Sequence, residues 1–203
     1  MSIGSSMDPS QMIFIIGSAV FLSHLIENGF DVISVDNLSR ASDQSLIGIE
    51  KITGKKIKNY TVDLTDKNAT ENIFIENPNI TGIIHFAAYK AVGESVELPL
   101  DYYENNLFSL VHLLQMSVKY NAKHFIFSSS CTVYGNPDTS RVTEATPLQA
   151  AASPYGATKQ MGEVIVKDTA HSYPISAILL RYFNYIINNY LALLLNKKPF
   201  LAK

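Results

Sequence analysis

Short runs of apolar and β-branched residues alternate along this chain with longer stretches in which apolar positions recur at helical spacing. The short runs predict strands at 12–16, 31–36, 57–62, 82–86, 124–128 and 175–182. The longer stretches predict helices at 20–28, 43–53, 66–76, 100–120 and 154–172. Alternating strands and helices predict an α/β fold, a doubly wound parallel sheet with helices on both faces.

Residues that typically cap or end helices support these boundaries. Gly29 and Gly54 follow helices as C-terminal stops, and Thr65 is the expected N-cap of the third helix. The chain divides into a loose polar lead-in, one domain and a tail that could form a further amphipathic helix, at 1–11, 12–184 and 185–203. In such a sheet ligands bind at the carboxyl ends of the strands, so we expect the chemistry directly after each strand.

Composition narrows the class of protein. Of the 203 residues, 47% are hydrophobic and 17% are charged, which leaves ample apolar material for a core. A net charge of −2 argues against nucleic acid or an anionic membrane as the main partner, because both require clustered lysine and arginine. The single Cys131 excludes an internal disulfide and a CxxC site, and the histidines show no metal-ligand spacing, so we expect no metal.

The N-terminal apolar stretch 12–22 resembles the hydrophobic part of a signal peptide. The first lysine or arginine of the chain is Arg40, so the positive region that precedes such a stretch is missing. No stretch reaches the roughly 18 uninterrupted apolar residues that span a membrane. We therefore expect a cytoplasmic protein with no membrane partner.

Two residues at the ends of the first two strands are typical of a dinucleotide site. Gly17 ends the first strand, where glycines let the backbone approach a pyrophosphate, although the other glycines of that fingerprint are missing. Asp36 ends the second strand, where a carboxylate can accept hydrogen bonds from both ribose hydroxyls and repel a 2′-phosphate. Asp36 therefore favours NAD over NADP, although an aspartate in this position is also a common turn residue.

Tyr155 and Lys159 form a YxxxK pair at the start of the last predicted helix. Side chains at this spacing lie on the same helix face. A tyrosine titrates near ~10 in water, so its use as a base at neutral pH needs a nearby positive charge, which Lys159 could supply. The alternative is an ordinary exposed face, on which tyrosine and lysine are both common.

Hydroxyl side chains follow the predicted fifth strand. Ser128, Ser129, Ser130 and Thr132 could hydrogen-bond a substrate hydroxyl, or they could form a polar turn that satisfies loose backbone groups. Cys131 lies among them. We expect it to be a packed small residue rather than a nucleophile, since no histidine stands in an activating position.

Taken in order, several segments closely resemble the UDP-glucose 4-epimerase family of extended short-chain dehydrogenases/reductases. They are VDNLS at 35–39, IHFAAYKAVGESVE at 84–97, YYENN at 102–106, FSSSCTVYGNP at 127–137, SPYGATK at 153–159 and LLRYFN at 179–184. The resemblance covers the chain from about residue 12 to residue 184. It implies a Rossmann-like form of the doubly wound sheet, tightly held NAD, and a UDP-sugar substrate of galactose metabolism.

The resemblance also implies roles for particular residues. Tyr155 would take the proton from the sugar 4-hydroxyl while hydride leaves C4 for NAD, and Lys159 would lower the tyrosine pKa. Ser130 would hydrogen-bond the 4-oxygen beside Thr132, and Asn184 would contact the substrate. The 4-keto sugar would then turn over and take the hydride back on its other face. The implied cofactor-binding residues are Gly17, Asp36, Asn37, Asp63, Leu64, Phe86, Ala87, Ala88, Lys90, Asn105, Tyr155, Lys159 and Phe183.

Two segments depart from the family pattern. The first turn reads IGSAVFLSH at 16–24, with Ser18 and Val20 where the family has glycines. Beyond the last matching segment the family continues into a smaller C-terminal lobe that encloses the sugar, and that lobe is largely absent here. We therefore expect weak or no activity from this chain. The alternative is a non-catalytic homologue that acts as a binding or oligomerising module, as a homodimer through 100–120 and 154–172.

A sugar-nucleotide dehydratase is a third hypothesis. Dehydratases resemble this chain in the YxxxK pair, but they place an Asp-Glu pair after the catalytic threonine to eliminate water. Here Val133 and Tyr134 follow Thr132. The sequence therefore disfavours a dehydratase.

Overall fold

A parallel sheet forms the centre of the molecule. The computed structural model describes residues 12–16, 19–138 and 141–183, with side chains from residue 21 onward. The strands are β1 (Met12–Ile16), β2 (Asp31–Val35), β3 (Lys58–Tyr60), β4 (Ile80–His85), β5 (His124–Ser128) and β6 (Ser176–Leu180). They lie in the order β3-β2-β1-β4-β5-β6, and every pairing is parallel. The predicted parallel α/β sheet is therefore confirmed.

Helices connect successive strands. They are α1 (Ala19–Glu27), α2 (Gln44–Thr53), α3 (Lys67–Glu76), α4 (Val92–Glu97), α5 (Pro99–Tyr103), α6 (Ser109–Lys119) and α7 (Pro154–Ser172). A π-helical turn, Glu104–Phe108, joins α5 to α6, and a 3-10 turn, Cys131–Tyr134, follows β5. The strand order reverses at β1, which has β2 on one side and β4 on the other. Ligands of doubly wound sheets bind at the carboxyl ends of the strands beside such a switch point.

The sheet separates two hydrophobic cores. Because successive residues of a strand point to opposite faces, neighbours in sequence enter different cores. On one face, Val32 and Ile84 pack with Leu22 of α1 and Ile49 of α2. On the other face a larger cluster joins β2, β4 and β5 to α3, α6 and α7, and it includes Ile33, Phe74, Ile83, Leu113, Phe125 and Val166. Burial on both faces explains the nearly continuous apolar strands of the sequence.

The structure corrects the predicted N-cap of α3. Asp66, and not Thr65, caps the helix, because its carboxylate accepts hydrogen bonds from the backbone N–H groups of Asn68 at 2.9 Å and Ala69 at 3.0 Å. The Thr65 hydroxyl instead donates to the Asp63 carboxylate at 2.7 Å. Gly54, in a left-handed conformation with φ 68°, ends α2 as predicted.

Several predicted elements differ in extent: β4 begins at Ile80 rather than at 82, and β6 covers Ser176–Leu180 rather than 175–182. The strand predicted at 57–62 pairs only over Lys58–Tyr60. The single helix predicted at 100–120 is α5, the π-helical turn and α6 in succession, and α4 before it was not predicted. A π-helical turn interrupts the regular hydrogen bonding of a helix, and such turns are frequent at functional sites.

Candidate functional site

A pocket of about 210 Å³ opens at the carboxyl ends of β2, β3 and β4. Its lining brings together many of the residues that the sequence predicted for the cofactor, namely Asp36, Asn37, Asp63, Leu64, Phe86, Ala87, Ala88, Lys90 and Asn105. These residues come from three strand ends and from the π-helical turn. These predicted residues thus lie together at one edge of the sheet, as expected for positions that directly follow parallel strands.

The loops after β2 and β3 are tied to each other at this pocket. The Asp36 carboxylate accepts the backbone N–H of Leu38 at 2.9 Å, and Leu38 has a positive φ of 57°. The Asn37 side chain donates to the Asp63 carboxylate at 3.2 Å. Partial burial pushes the pKa of Asp63 upward, but hydrogen bonds from Thr65 and Asn37 outweigh burial and leave this pKa below its usual value. The Asp63 carboxylate is therefore charged at neutral pH, and hydrogen bonds orient both carboxylates.

Asn106, in the π-helical turn, fixes the loop after β4. Its side-chain oxygen accepts the backbone N–H of Tyr89 at 2.7 Å, and its amide nitrogen donates to the Tyr89 carbonyl at 3.0 Å and to the Thr158 hydroxyl at 3.1 Å. The neighbouring Asn105 amide donates to the Asn106 oxygen at 2.9 Å. The pocket loop is thereby joined to α7. Sequence reasoning missed Asn106, although its buried amide lies within an otherwise amphipathic helical stretch.

Ser130 and Tyr155 form the centre of the second half of the site. Ser130 has an extended backbone and caps the 3-10 turn, its hydroxyl accepting the backbone N–H of Thr132 at 3.2 Å. Tyr155 lies in the first turn of α7, where the nearby Ser130 side chain pushes the pKa of its phenol downward, against the effect of burial. Among the described side chains, the Thr132 hydroxyl is buried and has no hydrogen-bond partner. The three hydroxyls expected around a sugar 4-oxygen are thus gathered after β5.

Lys159 is buried behind this pair. Its side-chain nitrogen donates to the Ser128 carbonyl at 2.8 Å and lies 5.8 Å from the centre of the Tyr155 ring. Burial lowers the pKa of Lys159 to about 8. Burial likewise raises the pKa of Tyr155, and the Ser130 hydrogen bond opposes that rise only in part. The sequence predicted that Lys159 lowers the pKa of Tyr155, whereas in this geometry the tyrosine pKa stays above its usual value.

The remaining predicted residues fall into two groups. Phe183 follows β6 and stacks on Tyr134, with ring centroids 6.3 Å apart. Cys131 is half-buried, and its backbone N–H donates to the Tyr182 carbonyl at 2.9 Å. The residues that lie outside the described part of the chain are Gly17, Ser18, Asn184, the lead-in 1–11 and the tail 185–203, and the side chain of Val20 is also outside it.

Comparison with known proteins identifies the family. Residues 15–188 match the NAD dependent epimerase/dehydratase family. The chain belongs to this family. Its predicted resemblance to UDP-glucose 4-epimerases is therefore confirmed at the level of the family. Individual relatives that are UDP-glucose 4-epimerases confirm it in more detail.

Several epimerases are similar to this chain over most of its length. A UDP-glucose 4-epimerase of Bacillus subtilis is 48% identical over 162 residues, which are 79% of this chain and 47% of the relative. A UDP-glucose 4-epimerase of Schizosaccharomyces pombe is 46% identical over 165 residues, which are 79% of this chain and 46% of the relative. The chain thus spans about half the length of these curated family members.

Solved structures of the family share the fold. The crystal structure of the UDP-glucose 4-epimerase of Bifidobacterium longum, in complex with NAD+ and UDP, superposes with a TM-score of 0.81 at 43% identity. The match covers 86% of this chain and 53% of that chain. The Rossmann-like epimerase fold is therefore confirmed for the described part of this family member. In that part, no helix is both long and apolar enough to cross a bilayer.

Proposed function

We propose that this chain is the cofactor-binding and catalytic part of a UDP-glucose 4-epimerase, which interconverts UDP-glucose and UDP-galactose through a 4-keto intermediate. One observation carries the proposal: the start of α7 with Tyr155 packs on the turn that carries Ser130, buried Lys159 lies behind them, and this group shares a sheet edge with a pocket suited to a nucleoside. The setting is galactose metabolism in the cytoplasm.

The pocket fits the adenosine half of NAD. Asp36 and Asn37 would hold the adenine ribose, since an oriented carboxylate at the end of β2 can accept from both ribose hydroxyls. Asp63 and Leu64 would contact the adenine. The residues proposed for the central part of the cofactor are Phe86, Ala87, Ala88, Lys90 and Asn105, and those for the nicotinamide half are Gly17, Tyr155, Lys159 and Phe183. NAD, when bound, would take hydride from the sugar C4 and return it to the opposite face.

Tyr155 would be the general base. Its phenol needs to lose a proton near neutral pH, and in this geometry burial keeps the phenol pKa high. The Ser130 hydroxyl stabilises the phenolate by donating a hydrogen bond to it, and the Lys159 charge favours the same form when the lysine is protonated. Thr132 would bind the sugar 4-oxygen beside Ser130, because its buried hydroxyl has no partner among the described residues. Asn184 would contact the substrate.

The dehydratase hypothesis gains no support from the turn after β5. A dehydratase would need two acidic side chains after Thr132, and Val133 and Tyr134 are buried there instead. The Tyr134 hydroxyl accepts a hydrogen bond from Arg181 at 3.0 Å. These side chains support the turn from within the core, away from solvent and substrate.

An assembly role is the second candidate function, and exposed apolar side chains favour it. Large apolar residues stand out on α5, on the π-helical turn and on α7, and their exposed fractions are 77% for Leu100, 52% for Phe108, 45% for Met161 and 56% for Val164. Such side chains at these two segments would suit a homodimer through 100–120 and 154–172. The chain would then act as a non-catalytic binding or oligomerising module.

Dinucleotide release tests the proposal directly. The purified chain is denatured, and the supernatant is assayed for NAD and NADH per mole of protein. We expect near-stoichiometric dinucleotide together with weak or no turnover of UDP-glucose, and we expect any turnover to be lost in Tyr155→Phe. A folded chain that retains no dinucleotide would contradict the proposed epimerase function. Sedimentation of folded chain from the same preparation then decides whether the module hypothesis takes its place.

A further inference from the structure

Glu163 of α7 is a charged residue buried almost completely, with 1% of its surface exposed. One carboxylate oxygen accepts from the Ser129 hydroxyl at 2.6 Å and from Arg181 Nε at 2.7 Å. The other accepts from Arg181 Nη2 at 2.6 Å, and the exposed Lys167 approaches it at 3.4 Å. Burial pushes the pKa of Glu163 upward, but the bonds from Arg181 and Ser129 outweigh burial and hold it below its usual value. The carboxylate is therefore ionised at neutral pH.

These bonds join three elements of the site. Ser129 directly precedes Ser130, Arg181 directly follows β6, and Glu163 itself lies in α7. Arg181 also donates from Nη1 to the hydroxyl of Tyr134, at the end of the 3-10 turn. The turn that carries Ser130 is thus held at both of its ends by one buried ion pair.

The same helix presents the proposed base. Tyr155, Lys159 and Glu163 are spaced four residues apart, so they follow one another along one face of α7. Lys159 holds the Ser128 carbonyl, and Glu163 holds the Ser129 hydroxyl. The end of β5 and the residue that follows it are therefore fixed to α7 next to Ser130.

We propose that Glu163 is a positioning residue of the epimerase site, which acts through Ser129 and Arg181 to hold the Ser130 hydroxyl beside the Tyr155 phenol. This inference rests on the proposed function, in which Tyr155 is the general base. A bidentate arginine–carboxylate pair fixes direction as well as distance. Replacing a buried ion pair with well-packed apolar residues is often neutral for stability. The contribution expected from this pair is therefore the orientation of the groups that it binds.

The test measures the pKa of the Tyr155 phenol in the chain without added dinucleotide. Tyrosine labelled with 13C at Cζ reports each phenol by NMR, and Tyr155→Phe assigns the signal. Ser130→Ala gives the reference value for the rise in the Tyr155 pKa that follows when the Ser130 hydroxyl is removed. The variants are Glu163→Gln, which keeps the shape, and the double change Glu163→Met with Arg181→Met, which replaces the ion pair with apolar side chains. Lys167→Ala is the matched control, since Lys167 contacts Glu163 only from the exposed side.

We expect the double variant to raise the Tyr155 pKa by at least half of the shift that Ser130→Ala produces, while melting temperature stays close to wild type. Glu163→Gln should give a smaller rise, and Lys167→Ala none. An unchanged Tyr155 pKa in Glu163→Gln and in the double variant would overturn the proposal, whatever their stability. If the double variant does not fold, Glu163→Gln alone decides in the same way.

The outcome is separable from the failure of the proposed function. The titration needs no bound dinucleotide and no turnover, so a chain that retains no NAD still gives a result. A chain that retains NAD but shows no shift in Glu163→Gln would refute the positioning role and leave the proposed reaction untouched.

Discussion

Gly162 of α7 lies directly against the ring of Phe127 in β5: a Cβ atom on Gly162 would stand 2.6 Å from Cζ of that ring and 3.2 Å from Leu110 Cδ2. Helix and strand therefore approach as closely as a glycine permits. This contact determines the height of α7 above the sheet, and α7 carries Tyr155 and Lys159.

Gly162→Ala is expected to destabilise the fold. Alanine favours a helix over glycine by roughly 1 kcal/mol, but overpacking of a tight core costs roughly 1–3 kcal/mol, so we expect a net loss. The matched control is Gly48→Ala in α2, where an added Cβ meets nothing within 4 Å, and this change should stabilise the protein. Urea unfolding measures both. Equal stabilisation of the two variants would contradict the close packing.

Asn106 gives a second prediction. In Asn106→Asp the side chain keeps its shape but can no longer donate to the Tyr89 carbonyl or to Thr158, and a charge faces these oxygens. We expect a loss of about 3 kcal/mol in the free energy of unfolding, together with weaker retention of dinucleotide. Asn68→Asp is the control, since Asn68 is exposed in the first turn of α3, where a negative charge is favourable. A loss of stability no larger than in this control would show that the hydrogen bonds donated by the Asn106 amide do not stabilise the fold.

The residues that could be predicted from the sequence lie next to strand ends. Asp36 and Ser130 follow apolar runs, and the parallel sheet brings all such positions to one edge whatever the details of packing, whereas Asp63 was implied only by the family resemblance. Tyr155 was found from its spacing to Lys159, which is local to one helix. Each of these predictions depends only on a few neighbouring residues of the sequence.

The residues that were missed depend on distant partners. Glu163 and Ser129 are 34 residues apart, and Asn106 and Thr158 are 52 residues apart. A single glutamate or asparagine in a helical stretch is usually solvated, so nothing local distinguishes these side chains before the fold is known. The N-cap prediction for α3 was wrong for a local reason: Asp63, two residues earlier, accepts a hydrogen bond from the Thr65 hydroxyl, and Asp66 caps the helix instead.

Lys159 predicts an alkaline dependence of stability. Burial lowers its pKa from 10.5 to about 8, so between these values the unfolded chain binds more protons at this residue than the folded chain. Stability then rises with pH by at most about 1.4 kcal/mol per pH unit across that window. We expect the rise to be lost in Lys159→Met and kept in the exposed control Lys167→Met. Parallel stability curves for wild type and Lys159→Met would refute the shifted pKa.

His85 predicts an acid dependence. The imidazole is buried at the end of β4, stacked on Phe127 with centroids 6.0 Å apart, and its Nδ1 has no hydrogen-bond partner among the described residues. Burial first, and the charge of Lys159 second, lower the pKa of His85 from 6.5 to about 3. As pH falls through this window, the unfolded chain gains a proton that the folded chain excludes, so stability falls.

His85→Phe should reduce that loss, since a phenyl ring has no proton to bind and packs against the same aromatic neighbours. Urea unfolding between pH 6.5 and pH 4 measures the slope. The exposed His124→Phe in β5 is the control and should retain the slope of wild type. Because both changes remove one imidazole, a reduced slope in both variants, or in neither, would mean that acid sensitivity does not arise from the buried ring of His85.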